Sequence, residues 1–227
     1  MKRLLLALVT VMGLAFAPIA QASHSWGNYH WSRASNPFAL KIVDSVTGTW
    51  DSLLPAVSAD WSGSSVLDTS IEPGSTSLLQ RLQCNPVAGK IRVCNANYGP
   101  NFWFGIAQVW LNGAHIRQAT TKVNDFYFTG TYGNNIARRH VLCQEIGHDF
   151  GLDHQHGVPS CMEDNNSTLN TPSYLSPNSH DYAQLQTIYT HLDGGAKVGS
   201  SEQSGSRPSL VQRIGGETVL TYIFWVN

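Results

Sequence analysis

The stretch QEIGHDFGLDH, residues 144–154, decides the fold of this 227-residue chain. Side chains four residues apart lie on one face of an α-helix, so Gln144 and His148 are expected to project side by side. Glycine adopts the left-handed conformation that ends many helices, and Gly151 therefore predicts a reversal of the chain. After that reversal, His154 can return to the same point. The stretch predicts a helix and turn that gather ligand-bearing side chains.

Three protein ligands and one open position are typical of a catalytic zinc, whereas structural zinc sites are closed by four protein ligands. Here Gln144, His148 and His154 would be the metal ligands, and water would take the open position. Zinc lowers the pKa of bound water, and a neighbouring carboxylate can take the proton during attack on a carbonyl. Glu145 is the catalytic candidate for that step. The residues therefore predict a Zn²⁺ cofactor and a hydrolytic reaction.

The same stretch resembles the metzincin signature H-E-x-x-H-x-x-G-x-x-H, which it matches at every fixed position except the first. Downstream, the sequence SCMED at 160–164 resembles the methionine turn of that family, with Met162 beneath the metal. The strand at 104–111 resembles the edge strand along which these enzymes bind an extended substrate. The resemblance is strongest to matrixin-like bacterial members and covers roughly residues 37–192.

This resemblance implies an α+β fold. The expected parts are a twisted mixed sheet, an active-site helix, a methionine turn and a small helical part near the C-terminus. It also implies a secreted zinc endopeptidase that acts on a protein or peptide substrate.

Gln144 is where the chain departs from the family pattern. An amide oxygen is a poorer zinc ligand than imidazole, which leaves three interpretations open. In the first, Gln144 binds zinc through its oxygen; in the second, His140 or His156 replaces it; in the third, the site has become a non-catalytic binding module. His140 is two turns from His148, roughly 12 Å of helix rise, and His156 is expected at the surface. Because Glu145 is present, the peptidase is the leading hypothesis and the binding module is the alternative.

The remaining histidines are assigned to other roles. His115 follows an Asn-Gly turn signal and is interpreted as a turn residue. The others are expected to be surface or structural groups rather than ligands: His24, His30, His180 and His191.

The four cysteines are expected to form two disulfides, because the count is even and the chain looks exported. Cys84 and Cys94 flank a short loop, which favours a local bridge and leaves Cys143 to pair with Cys161. The resemblance gives a second reason for the latter pair, since the helix and the methionine turn would both approach the metal. The chain has no C-x-x-C pair, which argues against a cysteine-rich zinc site.

Residues 1–22 are typical of a secretory signal peptide. Lys2 and Arg3 precede an apolar run at 4–17, and Ala-Gln-Ala at 20–22 suits a signal peptidase. The formal charge is −1 and there is no basic block, which argues against a nucleic-acid partner. We expect a secreted or periplasmic protein, monomeric and free of the membrane after signal cleavage.

The length suits one catalytic domain, at 23–193, followed by a Gly/Ser-rich linker and a terminal hairpin at 194–227. Pro55 argues against a long regular helix in its region. Periodicity predicts helices at 50–59, 136–150 and 181–192, and strands at 38–43, 66–71, 90–95, 103–111, 123–128, 210–214 and 218–226.

Overall fold

The computed structural model describes residues 24–193 and 210–226. The predicted signal peptide and the linker up to residue 209 lie outside the described residues. Within these residues the chain is a mixed α+β structure, as predicted, with two long helices packed against a mixed sheet. None of the helices in these two ranges combines the length and apolarity needed to cross a bilayer.

The described residues form eight strands of 2 to 10 residues and four α-helices. The strands are β1 His30–Trp31, β2 Phe38–Ser45, β3 Leu67–Pro73, β4 Lys90–Ala96, β5 Trp103–Asn112, β6 His115–Asn124, β7 Leu210–Ile214 and β8 Glu217–Trp225. The helices are α1 Thr49–Trp61, α2 Leu78–Gln83, α3 Asn135–His148 and α4 Ser179–Ile188.

The eight described strands form one sheet in the order β3-β2-β4-β6-β5-β8-β7, and β1 pairs with the start of β6. The strands β2, β3, β4 and β6 run parallel, as does β1 beside β6. By contrast, β5 is antiparallel to both β6 and β8. Helix α3 lies against β5, β6 and β8, and α1 packs beside it. The metal-binding stretch predicted from the sequence therefore lies over the middle of the sheet.

The expectation that β5 is an open edge strand is wrong. Strand β8 pairs with β5 along almost its whole length, from Trp103 opposite Trp225 to Leu111 opposite Thr218. The physical reason lies in β8 itself, where consecutive side chains from 219 to 222 are buried on both faces, as in an interior strand. The terminal hairpin is thus part of the same sheet, and all five residues of β7 are exposed at its edge.

Two further elements differ from the sequence prediction. Helix α1 runs through Pro55, which lies on the exposed face of the helix. Leu54 and Trp61 are fully buried. The burial of such side chains therefore outweighs the backbone hydrogen bond that proline cannot donate. Strand β6 begins at His115, directly after the turn at Gly113, instead of at residue 123. Its polar residues hid it from a search for apolar alternation.

Candidate metal centre

Helix α3 carries the first half of the site, and its residues 140–148 are all buried. The helix begins where the side chain of Asn134 accepts a hydrogen bond from the backbone of Ala137, at 3.0 Å. The chain reverses after the helix at Gly151, whose φ is +95°. A Cβ at Gly151 would collide with the carbonyl oxygen of Tyr29, so only glycine fits this reversal.

The reversal brings two histidines together, with their rings in a T-shaped arrangement. The Nε2 atoms of His148 and His154 are 3.1 Å apart. The Nδ1 atom of His148 lies 2.9 Å from the carbonyl oxygen of Leu152, and that of His154 lies 3.3 Å from a carboxylate oxygen of Asp164. Each Nδ1 is therefore assigned as the donor, which leaves a lone pair on each Nε2. These two lone pairs repel each other unless a proton or a metal ion lies between them.

The spacing of these two nitrogens suits zinc. Ligand atoms about 2.0–2.1 Å from a tetrahedral zinc ion lie about 3.3 Å from each other. Burial lowers the pKa of both His148 and His154, and their mutual proximity lowers the pKa of His148 further. Both imidazoles are therefore held in the neutral form, which is the form that binds a metal.

Gln144 is fully buried one helical turn before His148. Among the described residues, neither its amide oxygen nor its amide nitrogen has a hydrogen-bond partner. A buried amide left without partners costs about 1–3 kcal/mol, so this side chain is unfavourable unless something binds it. A cation at this point would satisfy the amide oxygen, and in that respect the residues present fit a zinc ion.

Glu145 is also fully buried and faces strand β5. A Cβ at Gly105 would overlap the Glu145 carboxylate, so glycine at this place in the strand makes room for it. Within the described ranges the carboxylate oxygens of Glu145 make no well-formed hydrogen bond, and the backbone of Ala107 is the one neighbour that lowers its pKa. Burial raises the pKa of Glu145 well above its usual value, and the carboxylate of Asp149 raises it further. A cation nearby would favour the ionised form, which is the form a general base needs.

Met162 lies beneath helix α3. Its backbone N–H donates to the hydroxyl of Ser160 at 2.9 Å, within a tight turn. Its sulfur fills the space beside Gly147, where a Cβ would not fit. The disulfide between Cys143 and Cys161 ties this turn to the helix. The other disulfide joins Cys84 to Cys94 at the end of α2 and in β4, so the structure contains the two pairs expected from the sequence.

Tyr222 of strand β8 covers the two histidines. Its ring stacks on His148 with 4.6 Å between ring centroids and lies 5.8 Å from the ring of His154. The indole of Trp26 also stacks on Tyr222, at 3.7 Å. The site is therefore closed by a residue that the sequence analysis placed outside the domain. The signal for it was the nearly unbroken apolar run of β8, which is typical of a strand with neighbours on both sides.

Three ionisable side chains near the site, Asp164, His156 and His140, make contacts that local spacing in the sequence does not reveal. Asp164 orients His154 through its Nδ1 atom, as carboxylates do for many metal-binding histidines. His156 is exposed and lies 3.1 Å from Asp164. His140, considered as a replacement ligand, instead places its Nε2 atom 2.9 Å from the carbonyl oxygen of Glu163. It is therefore engaged elsewhere.

No protein-family model matches this chain, and no curated protein matches it. Its structural neighbours are archaemetzincins. The structure of archaemetzincin from Archaeoglobus fulgidus complexed with malonate is similar at 15% identity and a TM-score of 0.39, over 65% of this chain and 99% of that one. Archaemetzincin from Methanopyrus kandleri is similar at 15% identity and a TM-score of 0.43, over 73% of this chain and 98% of that one. The functional interpretation depends on the geometry of the site itself.

Proposed function

We propose that this protein is a zinc-dependent endopeptidase whose metal is held by Gln144, His148 and His154, with Glu145 as general base. The observation that carries the proposal is the pair of Nε2 atoms 3.1 Å apart, each with its own Nδ1 already engaged. The unpartnered amide of Gln144 supports a third ligand at the same place. A cation resolves both unfavourable features at once.

Each residue has a distinct task in this proposal. Zinc, when bound, would polarise the substrate carbonyl and activate water. Glu145 would accept the proton of that water and pass it to the leaving amine. Asp164 and the carbonyl of Leu152 hold the two imidazoles in the tautomer that binds metal. Met162 supports helix α3 from below through its contact with Gly147.

A protein or peptide substrate would bind as an extended strand beside β5, because such peptides commonly pair with a sheet edge. In the structure that edge is taken by β8. We therefore infer that the hairpin of β7 and β8 leaves β5 before a substrate binds. The catalytic unit proposed at 23–193 is the part to which this substrate would bind, and 194–227 would form a linker and a hairpin, whose strand β8 lies beside β5.

The second candidate function is a non-catalytic metal-binding module, and a specific observation favours it. Tyr222 closes the site, and burial raises the pKa of Glu145, which keeps the carboxyl protonated when no cation is bound. In either case we propose a signal peptide at 1–22, a secreted or periplasmic location and a monomer. The two disulfides suit an oxidising compartment.

The test uses purified protein beginning at residue 23, with metal content and cleavage of an unstructured protein substrate as readouts. The peptidase proposal predicts that Glu145→Gln keeps its zinc and lowers kcat by about 10²–10⁴-fold. His148→Ala should lose one zinc ion per chain relative to wild type. Zinc binding that depends on His148, without cleavage above the Glu145→Gln level, would support the binding module instead. An unchanged zinc content in His148→Ala would reject both.

A further inference from the structure

A second group of metal-ligating side chains lies away from the site just described. It consists of His30 in β1 and of His191 and Asp193 after α4, and His115 at the start of β6 lies beside Asp193. The Nε2 atoms of all three histidines lie 3.3 Å from one oxygen of Asp193, Oδ1. The Nε2 atoms of His30 and His191 are 3.2 Å apart. The proposed peptidase function uses none of these residues.

The fold brings these residues together from distant parts of the chain. Strand β1 pairs in parallel with β6, and its register sets His30 directly beside His115. The segment after α4 is fixed against β1 because the backbone N–H of Asp193 donates to the carbonyl oxygen of Arg33 at 2.9 Å. His30 and Asp193 are 163 residues apart in sequence. A pattern based on local spacing could not reveal such a group.

The hydrogen bonding around His30 places the proton of its neutral ring on Nδ1. Its Nδ1 atom lies 2.5 Å from the carbonyl oxygen of Asn28, so Nδ1 is the donor. In a neutral imidazole, Nε2 then carries a lone pair. That lone pair faces the carboxylate of Asp193 and the Nε2 atom of His191. Unless the ring holds a second proton, a cation is needed to make these contacts favourable.

The distances fit a tetrahedral ion. The ligand atoms of His30, His191 and Asp193 form a triangle with sides of 3.2, 3.3 and 3.3 Å. One face of a tetrahedral zinc site, with bonds of about 2.0–2.1 Å, has sides of about 3.3 Å. His115 approaches the same carboxylate oxygen from the solvent side, with 42% of its side chain exposed. Imidazole nitrogen and carboxylate oxygen are ligands that zinc accepts.

The carboxylate of Asp193 is held in the orientation that a metal ligand needs. Its Oδ2 atom accepts hydrogen bonds from the backbone N–H of Arg33 at 2.9 Å and from the guanidinium of Arg33 at 3.1 Å. Oδ1 is thereby left for the histidines. Carboxylates and histidines in metal sites are commonly oriented in this way by groups that do not touch the metal.

We propose that His30, His191 and Asp193 bind a zinc ion that is separate from the proposed catalytic zinc, and that His115, which reaches the same Asp193 oxygen, moves in to complete four protein ligands. Closed in this way, the ion is structural. It joins β1, the start of β6 and the segment after α4. His115 and His191 are partly exposed, with 42% and 33% of their side chains accessible, so the ion can enter from solvent.

The test measures zinc per chain and the thermal midpoint of protein stripped with a chelator and then given zinc alone. We expect His191→Ala to lose one zinc ion per chain and to weaken zinc binding at this site by more than about 100-fold. Removing a group that only orients a ligand typically weakens metal binding by about 10–100-fold. His115→Ala should weaken binding less, because water can replace an exposed ligand. The half-buried His180 provides a matched control, and His180→Ala should keep the wild-type zinc content.

A second measurement does not depend on any variant. Anomalous scattering at the zinc edge, from crystals of wild-type protein, should place an ion among His30, His191 and Asp193. No ion there, together with equal zinc content and equal thermal shift in wild type and His191→Ala, would overturn the proposal in favour of a cluster of protonated histidines around one carboxylate. The result is independent of the peptidase proposal, because the zinc lost in His148→Ala is a different ion.

Discussion

At the scale of single residues, Gln144 gives the sharpest test of the metal centre. Imidazole nitrogen is a better zinc ligand than an amide oxygen, so Gln144→His should bind zinc at least about 10-fold more tightly. Gln144→Leu removes the unpartnered amide, and should therefore bind zinc more weakly while making the zinc-free protein more stable by about 1–3 kcal/mol. Competition with a chromophoric chelator measures the affinity, and urea unfolding measures the stability. Wild-type zinc affinity in Gln144→Leu would show that Gln144 is not a ligand.

His140 predicts an acid-dependent loss of stability. Burial lowers its pKa to about 4, from about 6.5 in an unfolded chain. Between these two values the unfolded chain binds a proton that the folded protein does not, so stability falls as the pH drops from 6.5 to 4. The full effect is roughly 3 kcal/mol at 1.36 kcal/mol per pKa unit.

The measurement for His140 is urea unfolding between pH 4 and pH 7 in wild type and in His140→Gln. The wild type should lose more stability on acidification than the variant does. Only this difference between the two profiles tests the prediction. Glu145 and Asp149 have raised pKa values, so in both proteins they lower the stability of the folded state as the pH rises and oppose the effect of His140. Parallel profiles would contradict it.

The residues that the sequence could place are those whose relation follows from local spacing. His148, Gly151 and His154 lie within one helix end and one turn, so local spacing was enough to predict that the two histidines meet. Asp164, Tyr222 and the group around Asp193 approach through long-range folding. His30 and His191 were expected to be surface or structural groups and His115 a turn residue, because nothing in the local sequence connects them.

At the scale of elements, the turn after α3 depends on Gly151. An alanine there would combine a strained positive φ with a collision against the backbone of Tyr29, so Gly151→Ala should destabilise the protein by at least about 2 kcal/mol. Gly157 is a matched control, because its φ is +78° but a Cβ there meets nothing within 4 Å. Gly157→Ala should cost only about 1 kcal/mol. Urea unfolding compares the two, and equal losses would show that the contact with Tyr29 is unimportant.

Helices and strands were predicted well where the pattern of apolar and polar side chains matches their burial in the fold. Helix α3 and strand β5 were predicted close to their observed bounds because capping residues and a long apolar run mark them. Strand β6 was missed over most of its length, since its threonines and other polar residues are buried between neighbouring strands without showing apolar alternation. The partner of β5 was also missed, because the resemblance assigned that edge to a substrate.

At the scale of the whole molecule, the position of β8 predicts that activity requires its release. Gln108 of β5 and Thr221 of β8 are opposite each other, and their side chains are joined by a 3.1 Å hydrogen bond. Gln108→Cys combined with Thr221→Cys should form a disulfide that holds β8 in place, because directly opposed residues bring their Cβ atoms close together. The oxidised double variant should cleave the substrate at least about 10-fold more slowly than its own reduced form.

Wild-type protein treated with the same mild reductant serves as the control for the native disulfides, and each single cysteine variant controls for the substitutions. If the oxidised double variant cleaves as fast as wild type, β8 does not need to leave. If none of the proteins cleaves the substrate, the binding module is supported, and the proposal that β8 blocks a peptidase is rejected.

Because β5 pairs with β8, the sheet cannot be completed until β8 has been synthesised. A ribosome makes β5 more than a hundred residues before β8, since the paired residues Gln108 and Thr221 are 113 positions apart. Until β8 emerges, the outer edge of β5 is an unpaired apolar strand, and such strands recruit other chains. Non-local pairing of this kind also slows folding. Nascent chains and refolding mixtures of this protein therefore pass through a state that aggregates faster as its concentration rises, and pairing with β8 ends that exposure.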